Sequence, residues 1–239
     1  MYGWRSRIGL ILPSDNTVME SEFNKILSSA EGVSVHATRI FLDEISVETL
    51  LEMKRGLKRA AKELSSAEVD VIIYGCTSGS LIKGIDFDQE IIGEIEQETE
   101  IVGTTTTTAV LNALKAVDAK KIAIGTPYPD VINEKVKTFF EESGFGVTNI
   151  IGLNICPDVD VGKQEPYTAY NLGIDVDSDD ADCVFLSCTD FRTVEIIEAL
   201  EKRLKKPVIS SNQASLWECL CLEQLGICIA GYGSLMEMI

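Results

Sequence analysis

Apolar and polar positions fall along this chain in two alternating kinds of block. Short runs rich in Val, Ile and Leu read as buried strands over residues 8–12, 33–41, 69–75, 101–103, 121–125, 147–155, 183–187 and 207–210. Between them lie longer stretches with apolar residues at helical spacing: 19–29, 47–65, 90–98, 109–117, a helix through Glu142, 167–173, 194–204 and 213–225. In the stretch 47–65, Leu50, Leu51, Leu57, Ala60, Ala61 and Leu64 make the buried stripe, while Lys54, Arg55, Lys58, Arg59 and Lys62 form its solvated side. Ser46 is placed to cap that helix, and Ser14, Asp15, Asn16 and Thr17 are the candidates for capping the helix that starts at Met19. Strands alternating with helices predict parallel sheets covered by helices.

The pattern occurs twice. Ile8 and Ile122 open the two halves 114 residues apart, and each half then runs strand, proline-containing loop, helix, strand, helix, strand, cysteine. The two cysteines, Cys76 in Val71-Ile-Ile-Tyr-Gly-Cys-Thr-Ser-Gly-Ser80 and Cys188 in Val184-Phe-Leu-Ser-Cys-Thr-Asp190, lie 112 residues apart. The expected fold is therefore α/β, with two pseudosymmetric lobes, each a parallel sheet flanked by helices, and a cleft between them. Residues 1–115 form the first lobe, with the C-terminal helix a candidate to complete it, and residues 116–239 form the second. Ligands of open α/β sheets bind outside the carboxyl ends of the strands, where both thiols are delivered. A cysteine at a strand-to-helix junction is expected to have its pKa lowered by the helix N–H groups.

Composition narrows the chemistry. A formal charge of −17 disfavours nucleic acid and anionic membrane surfaces as partners. A small anion remains admissible if donors within the site offset its charge. No apolar run approaches the roughly 20 residues of a membrane span, and the first residues do not resemble a secretory signal, so the cytoplasm is the expected compartment. Seven cysteines, an odd number and partly inside apolar strands, point to reduced thiols rather than a disulfide framework. No metal is expected: the single histidine, His36, sits in an alternating strand-like run, and Cys219 and Cys221 do not share a helical face. Cys156, Cys183, Cys219, Cys221 and Cys228 read as packing or loop residues. The threonine run 104–108 lacks the glycines and lysine of a phosphate-binding loop. Arg39 and Arg192 are placed either to meet a carboxylate or to serve the surface.

At these residues the chain resembles the aspartate/glutamate racemase superfamily, and within it the maleate cis-trans isomerase and arylmalonate decarboxylase branch. The resemblance rests on Ile8-Gly-Leu-Ile-Leu-Pro-Ser-Asp-Asn-Thr17, Tyr74-Gly-Cys-Thr-Ser78, Thr106-Thr-Thr-Ala-Val-Leu-Asn-Ala-Leu114, Gly125-Thr-Pro-Tyr128, Ser187-Cys-Thr189 and Pro207-Val-Ile-Ser-Ser-Asn-Gln213. It implies an enzyme without cofactor, acting on a small carboxylate between two facing catalytic positions, in a family whose members often form homodimers. Arylmalonate decarboxylases carry glycine at the first position, so cysteine at both Cys76 and Cys188 implies isomerase or racemase chemistry. Asn16 and Tyr128 match the family's carboxylate-holding residues, Thr77 and Ser78 match donors beside the first catalytic position, and Thr189 stands beside the second. A further binding asparagine of maleate isomerases has no clear counterpart: Asp158 and Asp160 occupy its region, and Asn154 is a loose candidate. Isomerisation of a small dicarboxylate, maleate to fumarate, is the leading expectation. Amino-acid or hydantoin racemisation, arylmalonate-type decarboxylation and simple carboxylate binding stay open.

Overall fold

The runs of β-branched residues pair into two parallel sheets in this computed structural model, which describes residues 2–42 and 46–238, with only the backbone of Asp158. In the first sheet β1 (Ser6–Pro13), β2 (Val33–Ile40), β3 (Val71–Tyr74) and β4 (Val102–Thr105) lie in the order β2-β1-β3-β4. In the second, β5 (Lys121–Thr126), β6 (Gly146–Gly152), β7 (Cys183–Leu186) and β8 (Val208–Ser210) lie in the order β6-β5-β7-β8. The strand order is the same in both, which is the duplication read from the sequence. The central strands are covered on both faces, and Ile8, Leu10, Val71, Ile72, Val184 and Phe185 are fully buried. The edge strands β2 and β6 are half-exposed and more polar; His36 lies on β2, 3.0 Å from Ser34 Oγ.

The first half supplies helices α1 (Met19–Leu27), α2 (Val47–Met53), α3 (Leu57–Ser65), α4 (Thr77–Leu81), α5 (Ile85–Thr99) and α6 (Thr106–Ala116). The second supplies α7 (Asp130–Glu142), α8 (Pro166–Val176), α9 (Ile197–Leu204) and α10 (Ser211–Leu222). Most bounds shift from the sequence expectation, α5 starting five residues early, and three of the shifts have a plain physical reason. The single helix expected over 47–65 is broken by a 3-10 turn at Lys54–Gly56, where the chain passes so close to β2 that a Cβ on Gly56 would sit 2.8 Å from Ile40. Ser46 does cap its first part, in a reciprocal pair with Thr49. α6 starts three residues earlier than expected because Thr105 caps it by accepting the Thr108 N–H. α9 starts three residues later, since the N–H groups of Thr193 and Val194 turn to the Glu22 carboxylate instead of a helix.

Helix α10 joins the halves. It follows β8 but packs on α6 and on strands β3 and β4 of the first sheet. Hydrogen bonds fix it there: Ser215 Oγ donates to Thr106 Oγ1 at 3.1 Å, and Asn112 Nδ2 donates to Glu218 at 2.9 Å. Its first turn thereby arrives at the carboxyl ends of the strands that carry the cysteines. Among the described residues no helix is long and apolar enough to cross a membrane, and no cluster of three His, Cys, Asp or Glu side chains is arranged to hold a metal ion.

Candidate active site

Each thiol sits where small residues let backbone close in. After β3 the chain passes close under α1, and a Cβ on Gly75 would lie 2.6 Å from Met19 Sδ. Cys76 follows in extended conformation as the N-cap of α4, and its Sγ accepts the Gly79 N–H at 3.3 Å with Ser78 Oγ at 3.8 Å. A Cβ on Gly79 would approach that sulfur to 2.8 Å, so the glycine is what allows the bond. The expected one-to-one reading of strand then cysteine missed α4, a five-residue helix built from Thr, Ser and Gly without a hydrophobic stripe.

After β7 the chain reaches Cys188 with φ of +114°, a conformation that side chains rarely adopt and that costs of order 1–3 kcal/mol unless its surroundings enforce it. Enforcement comes from the start of α10 and from the other lobe. Cys188 N–H donates to Ser211 Oγ at 3.0 Å, and the same oxygen lies 2.9 Å from Thr77 Oγ1. Thr189 Oγ1 donates to the Gly75 carbonyl at 3.1 Å and accepts from Asn16 Nδ2 at 3.0 Å. Asn16 Oδ1 in turn accepts the N–H groups of Val18 and Met19, making Asn16 the effective cap of α1 among the four candidates.

These ties close on one small cavity between the two strand ends. Cys76 and Cys188 both line it, and so do Asn16, Thr77, Ser78, Tyr128 and Thr189. Both thiols are thus on one chamber rather than in separate packing. The hydroxyls of Thr77 and Thr189 are engaged in the ties just described. Tyr128, 2% exposed, directs its hydroxyl at the Cys188 thiol. The other cysteines lie elsewhere: Cys183 and Cys219 are buried in packing, and Cys156 is exposed.

Sequence reasoning missed part of the wall. Pro13, Leu42, Val161, Asp15 and Asp190 also line the cavity. From the loop after β6, Val161 reaches it, whereas Asn154 is exposed and Asp160 pairs with Lys163; the side chain of Asp158 lies outside the described residues. Asp190 was legible as the neighbour of Thr189, but nothing in the irregular stretch 156–166 marked Val161. Arg39 serves the loop instead of a ligand: its guanidinium donates to the carbonyls of Pro13 and Asn16 and pairs with Glu20. Arg192 pairs with Glu195 and Glu165 outside the chamber.

The electrostatics reverse one expectation. Burial pushes the Cys76 thiol up to about 11, against the lowering effect of the Gly79 N–H and the Ser78 hydroxyl, with Asp15 adding to the rise. Burial pushes Cys188 higher still, with the Asp190 carboxylate adding to it. A five-residue helix offers too little dipole to offset the loss of water around a buried thiolate. Of the two, Cys76 has the sulfur easier to ionise. Tyr128 is also raised well above its ordinary value, first by burial and then by the two cysteines, so it stands as a neutral donor.

Against known proteins, the family described as arylmalonate decarboxylase matches residues 8–236. The maleate isomerase of Geobacillus stearothermophilus is 28% identical over 243 residues, covering 97% of this chain and 97% of the relative. The arylmalonate decarboxylase of Bordetella bronchiseptica is 29% identical over 180 residues, covering 74% and 75%. A maleate isomerase variant from Pseudomonas putida S16, solved with maleate, superposes with a TM-score of 0.93 at 26% identity, covering 97% of each chain. With nearly its whole length matched, two equivalent sheets and a cavity where the duplicated halves meet, this chain belongs to the arylmalonate decarboxylase family.

Proposed function

We propose that this protein is a cis-trans isomerase of a small dicarboxylate, converting maleate to fumarate, with Cys76 as nucleophile and Cys188 as acid and base. The observation that carries the reading is the presence of both thiols on one small chamber. Full-length similarity to maleate isomerases supports it.

Cys76 first loses its proton to bulk water, and the catalytic cycle neither uses nor returns it. Its thiolate adds to one alkene carbon while the Cys188 thiol gives its proton to the other. A C–S and a C–H bond form, the π bond breaks, and Cys188 is left as thiolate. Rotation about the new single bond carries the substrate from cis to trans. Cys188 then recovers the proton, the π bond re-forms and Cys76 leaves as thiolate. The higher pKa of Cys188 suits the group that must hold its proton while its neighbour ionises. Negative charge that develops next to the carboxylate meets donors from Ser78, Tyr128 and the first turn of α4, and loss of one such preorganised donor typically costs about 3–4 kcal/mol of barrier.

Arylmalonate decarboxylation is the second reading, favoured by the family match over residues 8–236. A cysteine at position 76, where the resemblance implies glycine for that reaction, weighs against it. The test is proton NMR of maleate with the protein: a growing fumarate signal is expected, and Cys188→Ala should abolish it while maleate still binds. Release of CO₂ from an arylmalonate with maleate untouched would overturn the assignment.

A further inference from the structure

Cys188 stands at the head of a stretch that has no helix or strand of its own. From Ser187 to Ile196 the backbone is irregular, yet Thr189, Phe191, Thr193 and Val194 are buried. Its polar groups must therefore find partners outside it. Two helices supply them. From α10, Ser211 takes the Cys188 N–H, and the neighbouring Asn212 donates to the Thr189 carbonyl at 3.0 Å. From α1, Asn16 holds the Thr189 hydroxyl, and Glu22 Oε1 accepts the N–H groups of Thr193 at 2.7 Å and Val194 at 3.1 Å. The two helices are tied together at this point, since Asn212 Nδ2 also donates to Glu22 Oε2 at 2.6 Å.

A carboxylate is an unfavourable choice for such a place unless both of its acceptors are needed. Glu22 is 4% exposed, and no cation pairs with it among the described residues; Lys25, one turn on, pairs with Glu195. Burial raises its pKa to about 7. A glutamine would fill the same volume without that cost, but it would bring an NH₂ group to a point where three N–H groups already converge. Asn212 shows what the second oxygen does. Both hydrogens of its amide are used, one on Glu22 and one on Thr189, and its Oδ1 meets no donor among the described residues. Turning the amide over would aim that oxygen at two acceptors. The Glu22 carboxylate therefore fixes which end of Asn212 faces the Thr189 carbonyl, one residue from the Cys188 thiol.

We propose that Glu22 is a positioning residue for the reaction, holding the Cys188 loop in place through Asn212. The proposal rests on the isomerase reading, because the proton on Cys188 is what the loop has to aim. With acceptors at both carboxylate oxygens, Asn212 keeps the Thr189 carbonyl while Ser211 keeps the Cys188 N–H. The segment that holds Cys188 at its positive φ is then gripped at both ends. With a donor in place of Oε2, Asn212 must turn or withdraw, and the carbonyl end comes free. Glu22 itself stands outside the chamber wall, so its effect falls on the aim of the thiol and not on substrate binding.

The test is Glu22→Gln on the full chain near pH 8.5, where the parent's carboxylate is ionised. Proton NMR reads initial rates of fumarate formation from maleate, and melting curves are taken on the same samples. The variant keeps an acceptor for Thr193 and Val194 and reverses the group that faces Asn212. Its kcat should fall roughly ten- to a hundredfold, the scale of a small displacement of a reacting group, with KM changed little. Its melting temperature should hold, since the buried charge goes with the carboxylate. Asn212→Ala should lose a similar factor, and the double variant should lose no more than the larger single loss. Three results would each overturn this inference and leave the isomerase reading standing: a kcat for Glu22→Gln equal to the parent's, a loss in that variant that follows a lowered melting temperature, or losses that add in the double variant. A parent that makes no fumarate would overturn the isomerase reading, and the inference with it.

Discussion

Ser211 Oγ accepts the backbone N–H of Cys188 at 3.0 Å while lying 2.9 Å from the hydroxyl of Thr77, the residue after Cys76. A single buried oxygen at the start of α10 thus ties the loop of one thiol to the loop of the other. It also secures the positive φ of Cys188, the strained point of the site.

Ser211→Ala removes that oxygen and leaves the Cys188 N–H without an acceptor in a buried place. A buried donor left unsatisfied costs about 1–3 kcal/mol, so kcat should fall roughly five- to a hundredfold. The loss should appear in kcat more than in KM, because the relation between the thiols changes and the wall of the cavity does not. Ser211→Thr keeps the hydroxyl and should restore most of the rate. Equal losses for both variants would make the role one of packing alone. The measurement is steady-state kinetics beside thermal melting of the same samples.

The pH dependence follows from the Cys76 thiol, which burial pushes up to about 11. Its reactive form is the thiolate, so the fraction in play rises about tenfold per pH unit below that value. Log kcat/KM should climb with a slope near one through neutral and mildly alkaline pH. Cys188 lies higher and stays protonated over the same window, so no fall is expected within it. A plateau reached near neutral pH would show that the thiolate is stabilised in the working enzyme by something other than the Gly79 N–H.

Much of this site was legible in the chain before any coordinates. Two apolar runs ending in a small residue and a cysteine, at nearly the same distance from the start of each half, located Cys76 and Cys188 because a parallel sheet delivers strand ends to one edge. The duplicated strand order followed from the same repeat. What was hidden depends on contacts across the halves. Ser211 lies in a run of small polar residues, Ser210-Ser-Asn-Gln213, in which any member would serve as a helix cap; Ser210 takes that task and frees Ser211 to reach Cys188. Val161 sits in an irregular stretch with no periodicity to show which side chain turns inward. The direction of the thiol pKa was also hidden, because local sequence advertises the helix end but says nothing of how completely water is removed.

Glu22 predicts a stability change with pH. Its carboxylate is buried between lobes, accepting from Thr193 and Val194 N–H through Oε1 and from Asn212 through Oε2. Burial raises its pKa from 4.5 to about 7 despite those donors, and the neighbouring Glu195 adds to the rise. A carboxyl easier to protonate in the folded chain than in the unfolded one favours folding when protonated. Its contribution is therefore complete below about pH 4.5 and is lost as pH rises through 7, a difference of about 3 kcal/mol for a shift of this size. Glu22→Gln keeps an acceptor oxygen and removes the titration. Between pH 5 and 8 the melting temperature of the variant should fall less than that of the parent. Parallel curves would place the titration elsewhere.

Tyr128 carries the last prediction. It is fully enclosed, it adjoins both sulfurs, and burial keeps its phenol protonated far above neutral pH. A neutral hydroxyl beside Cys188 can donate to whichever oxygen gains charge when Cys76 adds to the substrate, and it can do so without competing for the proton that Cys188 must deliver. Tyr128→Phe preserves the ring and its packing and removes that donor. If the hydroxyl serves the developing charge, kcat should fall by about 10²–10³ with a smaller change in KM. If it serves instead to hold the resting carboxylate, KM should rise and kcat should hold. The two outcomes separate in one set of initial rates, and melting curves of the variant check that the ring still fills its place.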